Sequence, residues 1–389
     1  MVTNLPESLA SPPPRAVDSS APGLKVLVLG GYGNFGRRIV LALAHDDTIR
    51  LVIGGRNEGR AQALAQEVGA EALGIDASDP QLATQLRSHG IGLVIHTAGP
   101  FQAQGYAVAK ACAAAGAHYI DLADGRRFVC DFPQALQARF LAAQRCGISG
   151  ASTVPALSSA VVDHLAHGWR AIHSIHICIA PAQTAPRGVA TLEAVLSYCG
   201  APVDIWRGGR WQQALGWARP TAVSFPRMNP RRAALCDIPD LELFPVRYRV
   251  RDEVLFRAAL EVPLSQTAFA ALARLRYWGL LPRPQILARW LLRGAPLLDR
   301  WGSGLGGMSV EVSGLNADGE PVSARWDITA DHDHGPEIPC MAAILLARRL
   351  ARGNGPPDGA HTAAGWLTLE EFAPEFRRWG MEAGTDAEA

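Results

Sequence analysis

A glycine-rich turn near the start of the chain is the strongest chemical signal in the sequence. The segment KVLVLGGYGNFGRRI, residues 25–39, runs from an apolar stretch through the turn Gly31-Tyr32-Gly33-Asn34-Phe35-Gly36 into a helical pattern. Glycines at this spacing allow a tight turn, close approach of the backbone to a pyrophosphate, and close helix–strand packing. The start of the following helix offers unpaired N–H groups to phosphates. We therefore predict a dinucleotide site here, with a purely structural turn as the alternative.

The next apolar run indicates which dinucleotide binds. Residues 51–53 are followed by Gly54-Gly55-Arg56-Asn57, at the distance from the turn where NAD enzymes place an acidic ligand for the ribose 2′-hydroxyl. Arg56 occupies that place, and a guanidinium can hold a 2′-phosphate in a two-pronged, charge-assisted contact. Arg60 could supply a second positive charge. The alternative to this cofactor role is that Arg56 only contacts solvent. The pattern favours NADP(H), with Arg56 and Asn57 in its site.

A loop after the fourth apolar run offers further cofactor contacts. In a doubly wound sheet, ligands lie beyond the carboxyl ends of the strands, where the strand order reverses. Asp76, which follows the third run, is assigned to the same cofactor site, and His96 is interpreted as a proton donor or a core histidine. The four residues expected to face the ribose and nicotinamide are Ala98, Gly99, Pro100 and Phe101.

Three side chains are candidates for a catalytic acid, namely Tyr119, Asp124 and His334. Asp121 and Asp124 end the fifth run and could orient substrate or a catalytic water, or cap the next helix; for Asp121 the structural role is preferred. His334 closes the cluster Asp331-His332-Asp333-His334, which is interpreted as a cleft-lining loop with a proton-donating histidine or as a surface turn. Two histidines at alternate positions could bind zinc, but no third ligand has suitable spacing, so we predict no metal.

Two arginine-rich segments are candidates for substrate or partner contacts. Arg247, Arg249 and Arg251 would share one face of a strand, which could receive a carboxylate or phosphate of the substrate or be simply solvated. The segment 268–301 is rich in Leu, Trp and Arg and is interrupted by prolines. It is expected either to cover the substrate cleft as a helical flap or to contact a membrane surface peripherally.

The elements that position these residues fall into two patterns. Residues 24–160 alternate short β-rich runs with helical segments, which predicts βαβ units in a Rossmann-type, doubly wound parallel sheet. Residues 161–334 contain alternating strand patterns and two helical blocks, which predict an α+β substrate or catalytic domain with a mixed or antiparallel sheet. In the segment 335–380, a helix at 338–352 is expected to pack back on the first domain. We predict a disordered tail over 1–23 and a frayed tail over 381–389.

Composition excludes several classes of protein. The 389 residues are 48% hydrophobic and 19% charged with a net charge of +1, which argues against disorder and against binding nucleic acid. Seven scattered cysteines without a CxxC pair argue against a disulfide framework and predict a reducing, cytoplasmic location. A GxSxG motif and a lysine-bearing phosphate loop are missing from the sequence, which argues against a serine hydrolase and a kinase.

The sequence resembles the saccharopine dehydrogenase-like, or saccharopine reductase-type, NADP-binding oxidoreductases. The resemblance rests on GGYGNFG at 30–36, GGRN at 54–57 and AGPFQAQGYAVAKACAAAGAHYIDLAD at 98–124, and continues more weakly through 150–163, 306–320 and 335–339. It implies a Rossmann domain with an inserted mixed-sheet domain and a substrate cleft between them. It also implies hydride transfer from NADPH, typically to an imine; related proteins are assigned to reduction of carbon–carbon double bonds in lipid assembly.

Three functions remain open at this point. The first is an NADPH-dependent oxidoreductase that reduces a C=N bond of a small substrate, with hydride transfer above the loop at 98–101. The second is an enoyl (C=C) or carbonyl reductase acting in trans on a lipid-like substrate. The third is a non-catalytic NADP-binding regulator. A homodimer is also considered.

Overall fold

The structure, a computed structural model, describes residues 23–186 and 188–388. Most of the disordered tail predicted over 1–23 lies outside the described residues. The first domain contains β1 (Leu24–Leu29), α1 (Asn34–Leu43), β2 (Ile49–Gly55), α2 (Glu58–Val68), β3 (Glu71–Gly74), α3 (Leu82–Ser88), β4 (Leu93–His96), α4 (Ala107–Ala115), β5 (His118–Asp121), α5 (Arg126–Ala143), β6 (Cys146–Ser149) and α6 (Ser158–Leu165).

The first sheet has seven parallel strands, six of them from this domain and β15 (Gly359–Thr362) from the C-terminal segment. Its order is β3-β2-β1-β4-β5-β6-β15, so the order reverses between β1 and β4. Successive side chains of a strand point to opposite faces. Val26 and Val28 accordingly pack with α1 and α2, whereas Leu27 and Leu29 pack with α3, α4 and α5. Both faces are therefore covered, and the predicted doubly wound parallel sheet is confirmed.

The second domain is built on a mixed sheet, as predicted. Its elements are β7 (Ala171–Ala180), α7 (Val189–Ser197), β8 (Pro202–Arg207), β9 (Arg210–Leu215), β10 (Thr221–Phe225), β11 (Met228–Leu235), α8 (Asp240–Arg247), β12 (Glu253–Leu260), α9 (Pro263–Tyr277), α10 (Ala288–Gly294), β13 (Gly306–Leu315) and β14 (Pro321–Ala330), and the C-terminal strand β16 (Glu382–Glu388) joins the sheet. The strand order is β10-β11-β12-β7-β13-β14-β16, with the hairpin β8–β9 attached to β12. Strand β12 pairs with β7 in parallel, and the other pairs are antiparallel.

The C-terminal segment returns to the first domain through α11 (Ile338–Ala351), β15 and α12 (Leu369–Arg378). Helix α11 packs on α1, and Glu337 at its start forms an ion pair of 2.9 Å with Arg38 of α1. The thiol of Cys340 lies 3.6 Å from the Phe35 carbonyl oxygen. The C-terminal helix is thus held directly against the helix that follows the glycine-rich turn.

Two sequence predictions about secondary structure are wrong. Residues 247–251 do not form a strand: Arg247 ends α8, and Arg249 has a left-handed φ of 50°. The frayed tail predicted over 381–389 is instead the strand β16 (Glu382–Glu388), which pairs with β14 from Thr329↔Glu382 to Ser323↔Glu388. Backbone pairing with an open sheet edge orders this polar segment, which has little hydrophobic pattern of its own.

Candidate cofactor site and active site

The glycine-rich turn connects β1 to α1 at the carboxyl edge of the parallel sheet. Gly30 has a left-handed φ of 85°, which L residues other than glycine rarely adopt. A Cβ on Gly36 would lie 2.2 Å from the Gly30 carbonyl oxygen, so only glycine lets the helix start so close to the turn. Both positions match the roles expected of glycines in a dinucleotide-binding turn.

The N-terminus of α1 has the properties of an anion site. Its N-cap is Gly33, which makes no side-chain capping bond, and the first turn contains no acidic residue. The first N–H groups of a helix lack partners within the helix, and the positive end of the helix dipole lies there. The residues present therefore fit the pyrophosphate of a dinucleotide.

The end of β2 forms a basic pocket beside the turn. The pocket is lined by Tyr32, Arg56, Asn57, Glu58 and Arg60. The Asn57 amide donates to the Tyr32 hydroxyl at 2.9 Å, and the Arg60 guanidinium lies 4.7 Å from the centroid of the Tyr32 ring. Two guanidinium groups thus line one pocket, in the place where an NAD enzyme carries a carboxylate. This arrangement fits a ribose 2′-phosphate.

Asp76 lies in a second pocket on the other side of Arg56, together with Asp79. Its carboxylate accepts hydrogen bonds from the backbone and the hydroxyl of Ser78, at 2.9 and 2.8 Å. These bonds, followed by the charge of Arg56, hold the pKa of Asp76 below its usual value. Asp76 is thus placed at the candidate cofactor site, but it also has a local role in its own turn.

The loop after β4 lies next to the glycine-rich turn, where the strand order reverses. Thr97 donates its hydroxyl toward the carbonyl oxygens of Leu29 and Gly30, at 3.0 and 3.2 Å. The Gln104 amide donates to the Ala98 and Pro100 carbonyls, at 2.8 and 3.0 Å, and the Gly99–Pro100 peptide bond is cis. Internal hydrogen bonds therefore fix the shape of the loop, and its four candidate residues (Ala98, Gly99, Pro100 and Phe101) lie at the predicted edge of the sheet.

Tyr119 and His96 are core residues rather than cleft residues. The Tyr119 hydroxyl lies 3.1 Å from His96 Nδ1, and both side chains are buried. Burial lowers the pKa of His96 to about 4 and raises the pKa of Tyr119 well above its usual value. Tyr119 is therefore poorly placed for the acid role considered from the sequence, because its hydroxyl points into the domain. His96 is a buried core histidine, which was one of the two interpretations of this residue from the sequence.

Asp121 has a structural role, as the sequence favoured. Its Oδ1 accepts from the Ala123 amide at 2.9 Å, the Gly150 amide at 2.8 Å and the Ser149 hydroxyl at 3.1 Å. Burial raises the pKa of this carboxyl to about 6. The bonds tie the end of β5 to the end of β6 and so fix the loop that carries Asp124.

Asp124 differs from Asp121 because its side chain is open to solvent. Its Oδ1 accepts from the Gln102 amide at 2.9 Å, which links it to the loop after β4. The protein that crowds around Asp124 raises its pKa, although water reaches the side chain. Of the three candidate acids, Asp124 is the exposed one, whereas Tyr119 is buried and His334 is half-buried.

The second domain contributes further groups to the same region. Burial is the main cause that raises the pKa of the Tyr198 phenol, and the nearby charges of Asp124 and Asp237 add to it. Tyr198 is therefore within electrostatic range of both carboxyls, although the three residues are far apart in the sequence. Local motifs gave no indication of Gln102, Tyr198 or Asp237, because only the folded chain brings them together.

Arg126 joins the two domains at this cleft. Its guanidinium donates to Glu242 and Asp237, at 3.0 Å each, and to the Asp204 carbonyl at 2.7 Å. It also lies 5.6 Å from the centroid of the Trp211 ring. Arg126 is thus engaged with the protein itself and positions Asp237.

The predicted arginine face for a substrate anion is not formed. Arg247 lies in the last turn of α8 and pairs with Asp163 at 3.1 Å, whereas Arg251 pairs with Asp252 at 2.7 Å. Arg249 follows the helix with a left-handed backbone. Because these residues do not share a strand, Arg247 and Arg249 lack the common face for which they were chosen as substrate ligands.

His334 lies in a turn before α11 and is engaged there. Its Nδ1 is 3.1 Å from the Trp379 carbonyl oxygen, and the two rings are 5.0 Å apart. His332 and Asp333 have left-handed φ values of 53° and 58°, so the cluster is a tight turn rather than an extended segment. Within residues 23–186 and 188–388, no group of three or more His, Cys, Asp or Glu side chains is arranged to hold a metal.

Known proteins of similar sequence and fold agree with this geometry. Residues 26–148 match the family described as the saccharopine dehydrogenase NADP binding domain. This part of the chain is therefore similar to the NADP-binding domain of saccharopine dehydrogenase-like proteins. A search of curated protein sequences finds no match. The predicted family resemblance and NADP(H) as the cofactor are confirmed, and the match supports an NADP-dependent oxidoreductase.

The similarity of fold extends over almost the whole chain. Apo saccharopine dehydrogenase (L-Glu forming) from Saccharomyces cerevisiae has a TM-score of 0.68 at 13% identity, covering 94% of this chain and 100% of that chain. The homospermidine synthase from Legionella pneumophila, solved in complex with NAD, has a TM-score of 0.60 at 11% identity, with coverages of 94% and 91%. At such identities the likeness establishes the shared two-domain fold.

Proposed function

We propose that this protein is an NADPH-dependent reductase that transfers hydride to the C=N bond of a small, amine-derived substrate. The observation that carries the proposal is the exposed carboxyl of Asp124, which follows β5, accepts a hydrogen bond from Gln102 of the loop after β4 and lies within electrostatic range of Tyr198. An imine nitrogen becomes positively charged when it is protonated, and carboxylates favour that charged form. A carbonyl or an isolated carbon–carbon double bond has no comparable need for a carboxylate.

The residues of the chain divide the work as follows. The turn at 30–36 and the pocket around Arg56 would hold the dinucleotide, which supplies a hydride when bound. The loop at 98–101 forms the rigid floor against which the substrate is oriented. Asp124, with its raised pKa, would share a proton with the imine nitrogen and so keep the neighbouring carbon electrophilic. Tyr198, whose phenol stays protonated, would donate a hydrogen bond.

The proposal rests more on positioning than on a strong acid. Orientation of two reactants can contribute several kcal/mol to a barrier, and the loop at 98–101 is fixed by Thr97 and Gln104. The Gln102 bond to Asp124 joins this loop to the proposed proton-sharing group. Binding and proton transfer are thus organised by adjacent parts of the same sheet edge.

Steady-state kinetics with amine and keto-acid pairs test this function. We expect Asp124→Asn to lower kcat by about a hundredfold or more, in the range typical of general acid–base groups, with NADPH affinity unchanged. Asp47→Asn, an exposed position elsewhere on the first domain, serves as the matched control. Full activity of Asp124→Asn would contradict the role assigned to this carboxyl.

A second function is supported by a separate observation. Large apolar side chains are exposed at the end of α9 and on α10, and α10 packs on α7, the helix that ends beside Tyr198. A lipid-like substrate carrying a conjugated C=C or a C=O bond would fit such surroundings. Turnover of enoyl thioesters, with none of amine and keto-acid pairs, would favour this function. Tight NADPH binding without turnover of either class would instead favour the regulator.

A further inference from the structure

The segment after α9 forms a surface that the cofactor site does not use. We define the 274–301 surface as the end of α9, the short turn at 284–287, α10 and the turn at 295–301. Seven of its large apolar side chains are 57% to 72% exposed. They are Tyr277, Trp278, Leu280, Ile286, Trp290, Leu297 and Trp301. Soluble proteins rarely expose apolar patches of this kind without a partner.

The charge of the 274–301 surface is strongly one-sided. Five of its arginines are exposed, and its acidic residue, Asp299, accepts a hydrogen bond of 3.0 Å from Gln183. Arg293 and Arg300 lie over the rings of Trp290 and Trp301, at 5.3 and 4.1 Å from the ring centroids. Guanidinium groups and indole rings therefore alternate over the same surface, which combines positive charge with apolar area.

We propose that the 274–301 surface docks on an anionic membrane interface. Tryptophan and tyrosine side chains favour the headgroup level of a bilayer, and arginines beside them attract anionic lipids. In the described part of the chain no helix is long and apolar enough to cross a bilayer, so the segment lies on the surface. Of the two roles expected from the sequence, the exposure of these side chains favours membrane contact, because a flap closed over a cleft would bury them.

A second copy of the chain is a poorer occupant than a lipid surface. Two 274–301 surfaces placed face to face would bring their exposed arginines together without acidic partners, which is unfavourable for like charges. An anionic bilayer supplies the missing negative charge and accepts the rings at the same time. Charge complementarity therefore selects the lipid surface.

The position of this surface would also orient the cleft. The turn at 284–287 and α10 both pack on α7, and the Arg276 guanidinium donates to the Ser197 carbonyl at 2.6 Å at the end of that helix. Tyr198 follows directly, so the surface and the cleft share one rigid element. Docking would bring the mouth of the cleft close to the membrane.

Vesicle flotation of the full chain tests the proposal. We expect binding to phosphatidylcholine vesicles containing phosphatidylglycerol to be at least about tenfold stronger than to phosphatidylcholine alone, and to weaken in high salt. Trp278→Ser combined with Trp290→Ser, and separately Arg289→Glu combined with Arg293→Glu, should each reduce binding about tenfold or more.

Matched controls use exposed positions on α5, away from this surface. Leu141→Ser and Arg139→Glu change the same kinds of side chain and should float like the wild type. Equal binding to both vesicle types, or no loss in the surface variants, would overturn the proposal. A wild-type dimer that the same substitutions dissociate, without any vesicle binding, would show that a second copy covers the surface and would also overturn it.

Discussion

Replacing Arg56 by alanine tests the cofactor preference at the residue that the sequence singled out. Arg56 lines the pocket that contains Tyr32 and Arg60, and its charge also acts on Asp76 from the other side. Loss of one charge-assisted hydrogen bond costs roughly 1.5–3 kcal/mol, which corresponds to about a ten- to a hundredfold loss in NADPH affinity. NADH carries a hydroxyl at that position and should bind almost unchanged.

Calorimetric titration of both nucleotides measures this difference directly. Arg50→Ala is the matched control, because Arg50 is an exposed arginine of the same strand at its opposite end, about 20 Å from Arg56 at the usual rise per residue. A wild type that binds NADPH and NADH equally well would refute the reasoning. A variant at Arg56 that loses both nucleotides to the same extent would show that the residue supports the fold instead.

Two further predictions concern stability. Gly36→Ala should lower the melting temperature and the nucleotide affinity together, because its Cβ would lie 2.2 Å from the Gly30 carbonyl oxygen. Gly294→Ala, whose Cβ would have no atom within 4 Å, should melt like the wild type. Both are measured by calorimetry, and an unchanged melting temperature for Gly36→Ala would contradict the packing described for the turn. Burial raises the pKa of Asp240, bonded to Ser158, from 3.8 to about 7. Since the unfolded chain ionises first, wild-type stability should fall by up to a few kcal/mol as pH rises from about 4 to 7 and then level off. Asp240→Asn should show a smaller fall in chemical unfolding, because Asp121, whose pKa is raised to about 6, still contributes; a pH profile identical to that of the wild type would contradict the assignment.

Local sequence signals predicted the cofactor half of the site well. The turn at 30–36 and the arginine at the end of β2 depend on residues close in sequence, whose backbone requirements are read from a few positions. The parallel sheet follows from regular alternation of strands and helices, and its order brings the turn and the loop at 98–101 together. The unpredicted strand β15 is too short and too polar to give such a pattern.

The arginine pattern at 247–251 shows how a short period-two signal fails. Pro239 and the acidic residues Asp240 and Glu242 favour the start of a helix, and Arg247 lies in its last turn, where a cation suits the helix dipole. These signals for the start and end of a helix outweigh the alternation of five residues that predicted a strand. The supposed substrate face was therefore a helix end followed by a turn.

The substrate half of the site depends on contacts that no local pattern records. Tyr198 comes from the end of α7 and Asp237 from the segment before α8, and Arg126 of the first domain bonds to Asp237 at 3.0 Å. Tyr119 looked equally suitable in the sequence, but strand alternation points its side chain into the core. Tertiary packing decides which residues at the end of a strand face the cleft and which face the core.

The most direct test of the proposed function follows a labelled hydride. The protein would be incubated with an amine and keto-acid pair and with NADPH that carries deuterium at both positions of the hydride-donating carbon, and the product examined by mass spectrometry. We expect one deuterium on the carbon bonded to nitrogen. We also expect no labelled product from Gly99→Leu, because the added side chain would block hydride transfer at this loop. Position 99 is exposed and a Cβ there would make only ordinary contact with Phe101, so the substitution should not disturb the fold. Product without the label, or full labelling by Gly99→Leu, would contradict hydride transfer to a C=N bond at this loop.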